Sequence, residues 1–388
     1  MLKKNDCILT FTGDIGFDKY MDGKWNDDSL LSEDILDFFS DSHHVIANVE
    51  GAVLSSEDLP EASKNDYCHY MNSEATRVLK RIKSDVWNLA NNHTMDMGDR
   101  GLKSTLESAK LCGASSLGAG INLNQASHPV IFDEGGGVGL ISVGYAPDCV
   151  PASNEKAGVF SMEEYSLIKK RIKKIKSRCR WCIVVAHGGE EFTNLPNPYT
   201  RERYMKYLEW GADIVVAHHP HVVMNYEIFN KKAIFYSLGN FIFDTDYQRA
   251  QYNTEKGVIL KLLLSENNFI IKSQGILIDR KEEKIVGCEV PDIFTNVDEE
   301  EYQKLLPLSA KAFVKAEIKR KKFLHPEIFN SFSENEWDEY LLSKDRGEYI
   351  EGKTMDFSVI LPIAEREKDG LWKTSSLSRV VRYITKQL

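Results

Sequence analysis

The chain has 388 residues, 42% of them hydrophobic, and a formal net charge of -9, which is enough apolar material for a sizeable core without disulfides. Its lysines and arginines form no binding stripe, so nucleic-acid binding as the main activity is excluded: phosphate neutralisation needs clustered cations. Seven scattered cysteines and no apolar run near the roughly 20 residues of a membrane span predict a cytoplasmic protein in a reducing compartment, without a membrane anchor.

The segment Cys7 to Thr12 is a predicted strand ending at Gly13-Asp14-Ile15-Gly16. A carboxylate at the carboxyl end of a buried strand stands where open α/β sheets bind ligands. His44 to Val49 repeats the pattern and delivers Asn48 and Glu50 at alternate-residue spacing, so both can face the pocket of Asp14. Ser55 to Asn72 is polar and irregular, either a loop lining a substrate groove or an ordinary surface loop. Asp85 to Ala90 is a third strand, followed closely by Asn91, Asn92, His93 and Asp96. A helix starting at Asp99 or Arg100 then carries Leu102, Leu106 and Ala109 on one face and closes at Gly113.

Gly135-Gly136-Gly137 lacks the spacing and lysine of a phosphate loop and reads as a hairpin turn before the strand Val138 to Val143. The next helix, Glu163 to Ser177, packs Ile168, Ile172 and Ile175 behind a solvated basic face. Cys179 and Cys182 read as buried thiols beside the strand Trp181 to Ala186, which ends in His187-Gly188-Gly189-Glu190-Glu191. After a helix from Arg201 to Trp210, the strand Ile214 to Ala217 ends in His218-His219-Pro220-His221. Pro220 forbids further ladder pairing, and His219 and His221 can point into one pocket. Val222 to Phe229 with Ala233 to Phe243, and Gly257 to Leu264 with Phe269 to Ile278, are two predicted hairpins. Past residue 290 the chain is charged and helix-prone, with Trp337, Tyr340 and Leu341 on one apolar face. Residues 1–290 are therefore expected to hold the site, and 291–388 to form a helical extension.

The strand ends thus offer carboxylate, amide and imidazole donors together. That mixture suits a divalent transition metal, Mn, Fe or Zn, better than Mg or Ca, with either one ion or a pair. The order and spacing resemble the metallo-dependent phosphatases of the calcineurin-like fold. Within that fold the match is closest to the CapA (PgsA) poly-gamma-glutamate capsule biosynthesis family, through Gly13-Asp14, Asn48-Val49-Glu50, Asn91-Asn92-His93 with Asp96 and Gly98, His187 with Glu190-Glu191, His218-His219-Pro220-His221-Val222 and Tyr236-Ser237-Leu238-Gly239-Asn240-Phe241. The resemblance implies an α/β (α+β) fold, a metallophosphatase-like four-layer α/β/β/α sandwich with a helical C-terminal appendage. It implies Asp14, Glu50, Asn92, His187, His219 and His221 as metal ligands, His93 as the imidazole that protonates a leaving group, and Asn48, Asn91, Asp96, Glu191, His218 and Asn240 as substrate or supporting contacts. Two departures stand out. Gly16 takes the place of the imidazole two residues beyond the first aspartate in ordinary phosphatases, and Glu50 that of a bridging aspartate.

Three functions are compatible with this pattern. The first is a metal-dependent hydrolase or amide-processing enzyme acting on a gamma-glutamyl, peptide or phosphoester substrate, small or polymeric, linked to capsule or metabolite biosynthesis. The second is a metal-poor peptide epimerase that uses the same groups for proton transfer. The third is a non-catalytic subunit of a polymer-synthesis complex.

Overall fold

Strand residues that alternate between two apolar environments force a layered build. Cys7, Leu9 and Phe11 enter one core, while Ile15 at the end of the same strand enters another. Trp181, Ile183 and Val185 share the first of these with Ile214 and Val216; Cys182, Val184 and Ala186 face a third with Val215 and Ala217. The computed structural model describes residues 6–55, 57, 59, 68–145, 149–196 and 198–305, with short pieces at 319, 322–323, 326–333 and 336.

One sheet runs, in spatial order, Lys284–Cys288, Phe269–Asp279, Lys256–Leu264, Cys7–Ile15, His44–Val49, Val86–Asn88 and Ser115–Leu117, with Asn240–Ile242 added beside Cys7–Ile15. The other runs Tyr226–Phe229, Lys232–Phe235, Ile214–His218, Trp181–His187, Val138–Gly144 and Val130–Phe132. The two sheets share the middle core. Helices Glu33–Ser40, Thr76–Arg81 and Gly98–Leu111 cover the outer face of the first through Ile35, Phe39, Val78, Leu79, Leu102 and Ala109. Helices Tyr165–Lys176 and Pro198–Glu209 cover the second through the isoleucine stripe and Tyr204, Tyr207 and Leu208. This is the α/β/β/α sandwich expected from the sequence.

Two strand expectations need correction. The run from Ala233 to Phe243 is not one strand: Lys232–Phe235 closes a hairpin on Tyr226–Phe229, and Asn240–Ile242 crosses to the other sheet, where it pairs in parallel with Cys7–Ile15. Gly239, at φ +69, turns the chain between them. Lys284–Cys288 adds an edge strand that the sequence reading did not foresee. The chain past residue 290 starts packed on the domain. Val297 and Thr295 exchange backbone hydrogen bonds with Tyr226, and buried Tyr302 donates to the Pro196 carbonyl. Arg201 pairs with Glu227 at 2.6 and 2.7 Å, reaches Glu299 at 2.6 Å and lies over the Tyr302 ring. Trp337, Tyr340 and Leu341 lie outside the described residues. Among the described residues no helix is long and apolar enough to cross a membrane.

The crossing strand comes so close to Gly13 that a Cβ there would lie 2.2 Å from the Gly239 carbonyl oxygen, which accepts the Asp14 N–H at 3.0 Å. Gly13→Ala is therefore expected to cost about 2 kcal/mol by overpacking, read from urea unfolding; an unchanged midpoint would mean that the strands are not in contact.

A second prediction concerns the far end of the sheets. His44 stacks on Phe132 of the opposite sheet, 3.5 Å between centroids, with Nδ1 2.6 Å from Asp85. Burial pushes its pKa down, but Asp85 and Glu134 outweigh that and raise it. A raised folded pKa means that the contribution is full below the unfolded value of about 6.5 and fades as pH rises through the folded value. His44→Gln should thus lose about 1 kcal/mol near pH 6 and distinctly less at pH 9; an equal loss at both would remove the charge from the account.

Candidate functional site

Parallel register carries the polar residues into rows at the carboxyl ends of the strands. Asp14 pairs with Asn48 on one side and Asn240 on the other, and Asn48 pairs with Asn88. In the second sheet His187 pairs with Gly144 and His218. Beyond the last of these strands His219 and His221 adopt φ of +99 and +57, conformations that non-glycine residues rarely hold and that aim both rings back toward the cluster.

Asp14, Glu50 and His221 form its centre, buried, with their potential ligand atoms all within 4.8 Å of one another. His221 Nδ1 is 3.2 Å from Asp14 Oδ2, and its Nε2 is 3.7 Å from Glu50 Oε1. His187 Nε2 stands 3.6 Å from Glu50 Oε1 and 2.8 Å from Asn92 Oδ1. His218 Nδ1 is 3.5 Å from Asp14 Oδ1, and the His219 ring is 5.1 Å from that of His187.

Behind the centre, amides hold it in place. Asn48 donates to Asp14 Oδ1 at 2.8 Å and accepts from Asn88 at 2.6 Å, and Asn88 in turn accepts from Ser142 at 2.5 Å. Asn240 Oδ1 lies 2.9 Å from His221 Nδ1, and its amide N–H groups are taken by Gln248 and the Thr254 carbonyl. Asn91 donates to the Val49 carbonyl and accepts from the His93 N–H and the Thr94 hydroxyl, and so braces the loop beside the site. Glu191 accepts from the Tyr247 hydroxyl at 2.9 Å, beside Phe192.

Glu50 departs from this satisfaction. Both its oxygens are buried without a hydrogen bond among the described residues; Asp14 Oδ2, His187 Nδ1 and His218 Nδ1 share that condition, although His221 Nδ1 stands 3.2 Å from Asp14 Oδ2. Buried acceptors without donors are costly unless a cation meets them, and a carboxylate pair with imidazoles is a donor set that suits a divalent transition metal. The residues fit such an ion.

Burial and the close approach of these groups also shift their protonation equilibria. Burial raises the Asp14 carboxyl, but His218 and His221 outweigh it and hold it well below the usual range. Burial and the Asp14 charge push Glu50 far above the usual range. Burial lowers His221, yet Glu50 and Asp14 carry it up to about 10. Burial and His219 keep His187 well below the ordinary imidazole value. Burial and His69 push His93 well below the ordinary imidazole value. Its Nδ1 is 2.7 Å from Asp96 Oδ2, and burial lifts Asp96 to about 6.

The structure also explains Gly16. A Cβ there would lie 2.5 Å from the Phe243 ring, so the space of the missing imidazole is filled by a phenyl group that also packs on His221 at 5.0 Å. Sequence reasoning missed Phe243, Asn88 and Ser142, none of which lies in a polar motif. It also missed His69 and Asp18, whose rings and carboxylates meet from separate loops.

A profile of the family described as "Bacterial capsule synthesis protein PGA_cap" matches residues 8–245. The chain is 32% identical over 255 residues to the PGA biosynthesis protein CapA of Bacillus subtilis (strain 168), which covers 64% of this chain and 66% of that one. It is 29% identical over 274 residues to the capsule biosynthesis protein CapA of Bacillus anthracis, covering 68% and 65%. A probable polyglutamine synthesis accessory protein of Mycobacterium tuberculosis is 24% identical over 212 residues, covering 51% and 55%. The chain thus spans just under two thirds of the length of the two Bacillus relatives.

The unpartnered carboxylate makes a prediction. With chelator present, Glu50→Gln should stay within about 1 kcal/mol of the wild type, because neither Glu50 oxygen accepts a hydrogen bond that the isosteric amide would lose. With Mn2+ or Zn2+ at about 100 times its Kd, the wild type should gain roughly 2.7 kcal/mol and the variant much less, by thermal unfolding. A variant destabilised in chelator would show that Glu50 has a protein partner after all.

Proposed function

The chain belongs to the bacterial capsule synthesis protein family PGA_cap, and from that premise we propose that it is a divalent-metal-dependent hydrolase whose substrate is a gamma-glutamyl amide, with peptide and phosphoester bonds as the neighbouring chemistries. The observation that carries the reading is the buried, donorless Glu50 beside Asp14 and His221. Asp14, Glu50 and His221 would hold an ion, with Asn92, His187 and His219 as the further candidate ligands. A bound divalent cation lowers the pKa of a water and polarises the bond under attack.

The remaining steps fall to the chain itself. Asn48 and Asn240 keep Asp14 and His221 from turning, and His93 offers Nε2 to the leaving atom while Asp96 holds Nδ1. Asp96 also stabilises the imidazolium that His93 becomes when an anionic substrate arrives. The polymer reading leans on relatives named for PGA or polyglutamine synthesis. Epimerisation is less well supported, because proton transfer alone gives the buried oxygens of Glu50 no partner.

Elemental analysis of protein purified without a metal-affinity step tests the reading. About one to two transition-metal ions per chain are expected, and fewer in Asp14→Ala and His221→Ala. In the loaded protein His93→Ala should lower kcat on a gamma-glutamyl anilide by about 100-fold with the ion retained. A wild type that stays empty when Mn2+, Fe2+ and Zn2+ are supplied would overturn the proposal.

A further inference from the structure

The carboxylate cluster is closed to solvent, so a substrate has to meet this site on another wall. The side chains of His93 and His69 are 17% and 14% exposed, against 3% or less for Asp14, Glu50, His187 and His221. Each of these two rings is held through Nδ1 by a carboxylate: His93 by Asp96 Oδ2 at 2.7 Å, His69 by Asp18 Oδ2 at 2.9 Å. Asp96 Oδ2 also accepts the backbone N–H of His69 at 2.7 Å, so one oxygen keys both residues. The rings meet edge to face at 4.1 Å, and His69 rests at 5.1 Å on Phe243, the ring that covers Gly16.

A neutral imidazole whose Nδ1–H is taken by a carboxylate presents Nε2 as a lone pair, available to a donor. Two such rings side by side do not suit a substrate carbon held between opposed bases, since nothing fits between rings 4.1 Å apart. They suit a single atom that needs one proton and already carries another. An amide nitrogen is such an atom; the leaving oxygen of an ester is not.

We propose that His69 is a second substrate-facing residue of this site, accepting the N–H of a scissile amide beside His93, and that it selects amides over esters. The inference rests on the hydrolase reading and narrows its substrate class. In the reaction the water oxygen bonds to the acyl carbon, and the carbon–nitrogen bond breaks with its electron pair left on nitrogen. His93 takes up a proton at Nε2 from solvent when substrate binds and passes it to that nitrogen, whose own N–H stays hydrogen-bonded to His69 Nε2. The product amine leaves, and the proton released by the attacking water goes to solvent and replaces the one that His93 took up.

The test uses the metal-loaded full chain with two probes, gamma-L-glutamyl-4-nitroanilide and bis(4-nitrophenyl) phosphate. His69→Gln is expected to lower the ratio of kcat/KM for the amide over the phosphoester by about tenfold at unchanged metal content, with Asp18→Asn moving it the same way. A structural defect would lower both probes alike, and an unchanged ratio overturns the role of His69 while leaving the hydrolase intact. A wild type inert on both probes sinks the hydrolase reading itself, and this inference with it. The geometry has a readout free of turnover: in long-range 1H–15N spectra His69 should show the Nδ1–H tautomer and lose it in Asp18→Asn. The opposite tautomer in the wild type would also overturn the proposal.

Discussion

Two carboxylates buried side by side with only imidazoles for neighbours impose a condition that the rest of this fold has to meet. Asp14 and Glu50 cannot both carry a negative charge in an apolar enclosure without a cation or a proton between them. The fold treats them unequally. Asp14 is tied down by the Asn48–Asn88–Ser142 chain and by two histidines, whereas Glu50 accepts no hydrogen bond among the described residues and meets only the Nε2 atoms of His187 and His221, at 3.6 and 3.7 Å. Neutral amides fix one acid in place at little electrostatic cost and leave the other's oxygens open. That asymmetry distinguishes a receptive site from a satisfied core cluster, in which both acids would have found donors.

Meeting the condition takes contributions from both sheets at once. Asp14 and Glu50 come from the first, His187 and His218 from the second, and Asn240 from the one strand that leaves the second sheet's hairpin to join the first. The joint is tight, since Gly13 admits no side chain against Gly239. His219 and His221 hold left-handed backbone conformations that cost of order 1 kcal/mol or more each and persist because the surrounding sheets over-determine them. Strain gathered at the one loop that delivers imidazoles to the carboxylates marks that loop as kept for chemistry, because a relaxed loop would close the same sheet more stably.

Much of this was legible from the chain alone, and the reason is periodicity. Strands that alternate between two cores announce themselves, and a polar residue at or just past the end of such a strand has few places to go but the sheet's carboxyl edge; Asp14 and His187 in the last residues of their strands, Glu50 directly after its own and His221 three residues on follow that rule. What escaped has no period. The apolar run through Tyr236 and Leu238 reads as one strand because hydrophobicity does not record a change of sheet, and only Gly239 betrays the turn. His69 and Asp18 lie 51 residues apart in segments with no apolar pattern, so their pairing depends wholly on tertiary placement. Phe243 looks like an ordinary core residue until Gly16 is seen beneath it.

That phenyl ring bears on how the chemistry is divided. Where an imidazole would bring another charge-bearing ligand and its water, Phe243 brings an apolar wall touching both His221 and His69. Excluding water there strengthens every charge interaction inside the cluster, because the effective dielectric falls as the enclosure closes. Glu50 and Asp14 are fully buried, while His93 and His69 remain partly exposed. A buried set of acids suited to a cation and a more accessible pair of carboxylate-held imidazoles suited to protons therefore adjoin at one aromatic ring. The two halves divide the work: the acids are too enclosed to exchange protons with a substrate, and the carboxylates beside the two rings are already engaged by Nδ1.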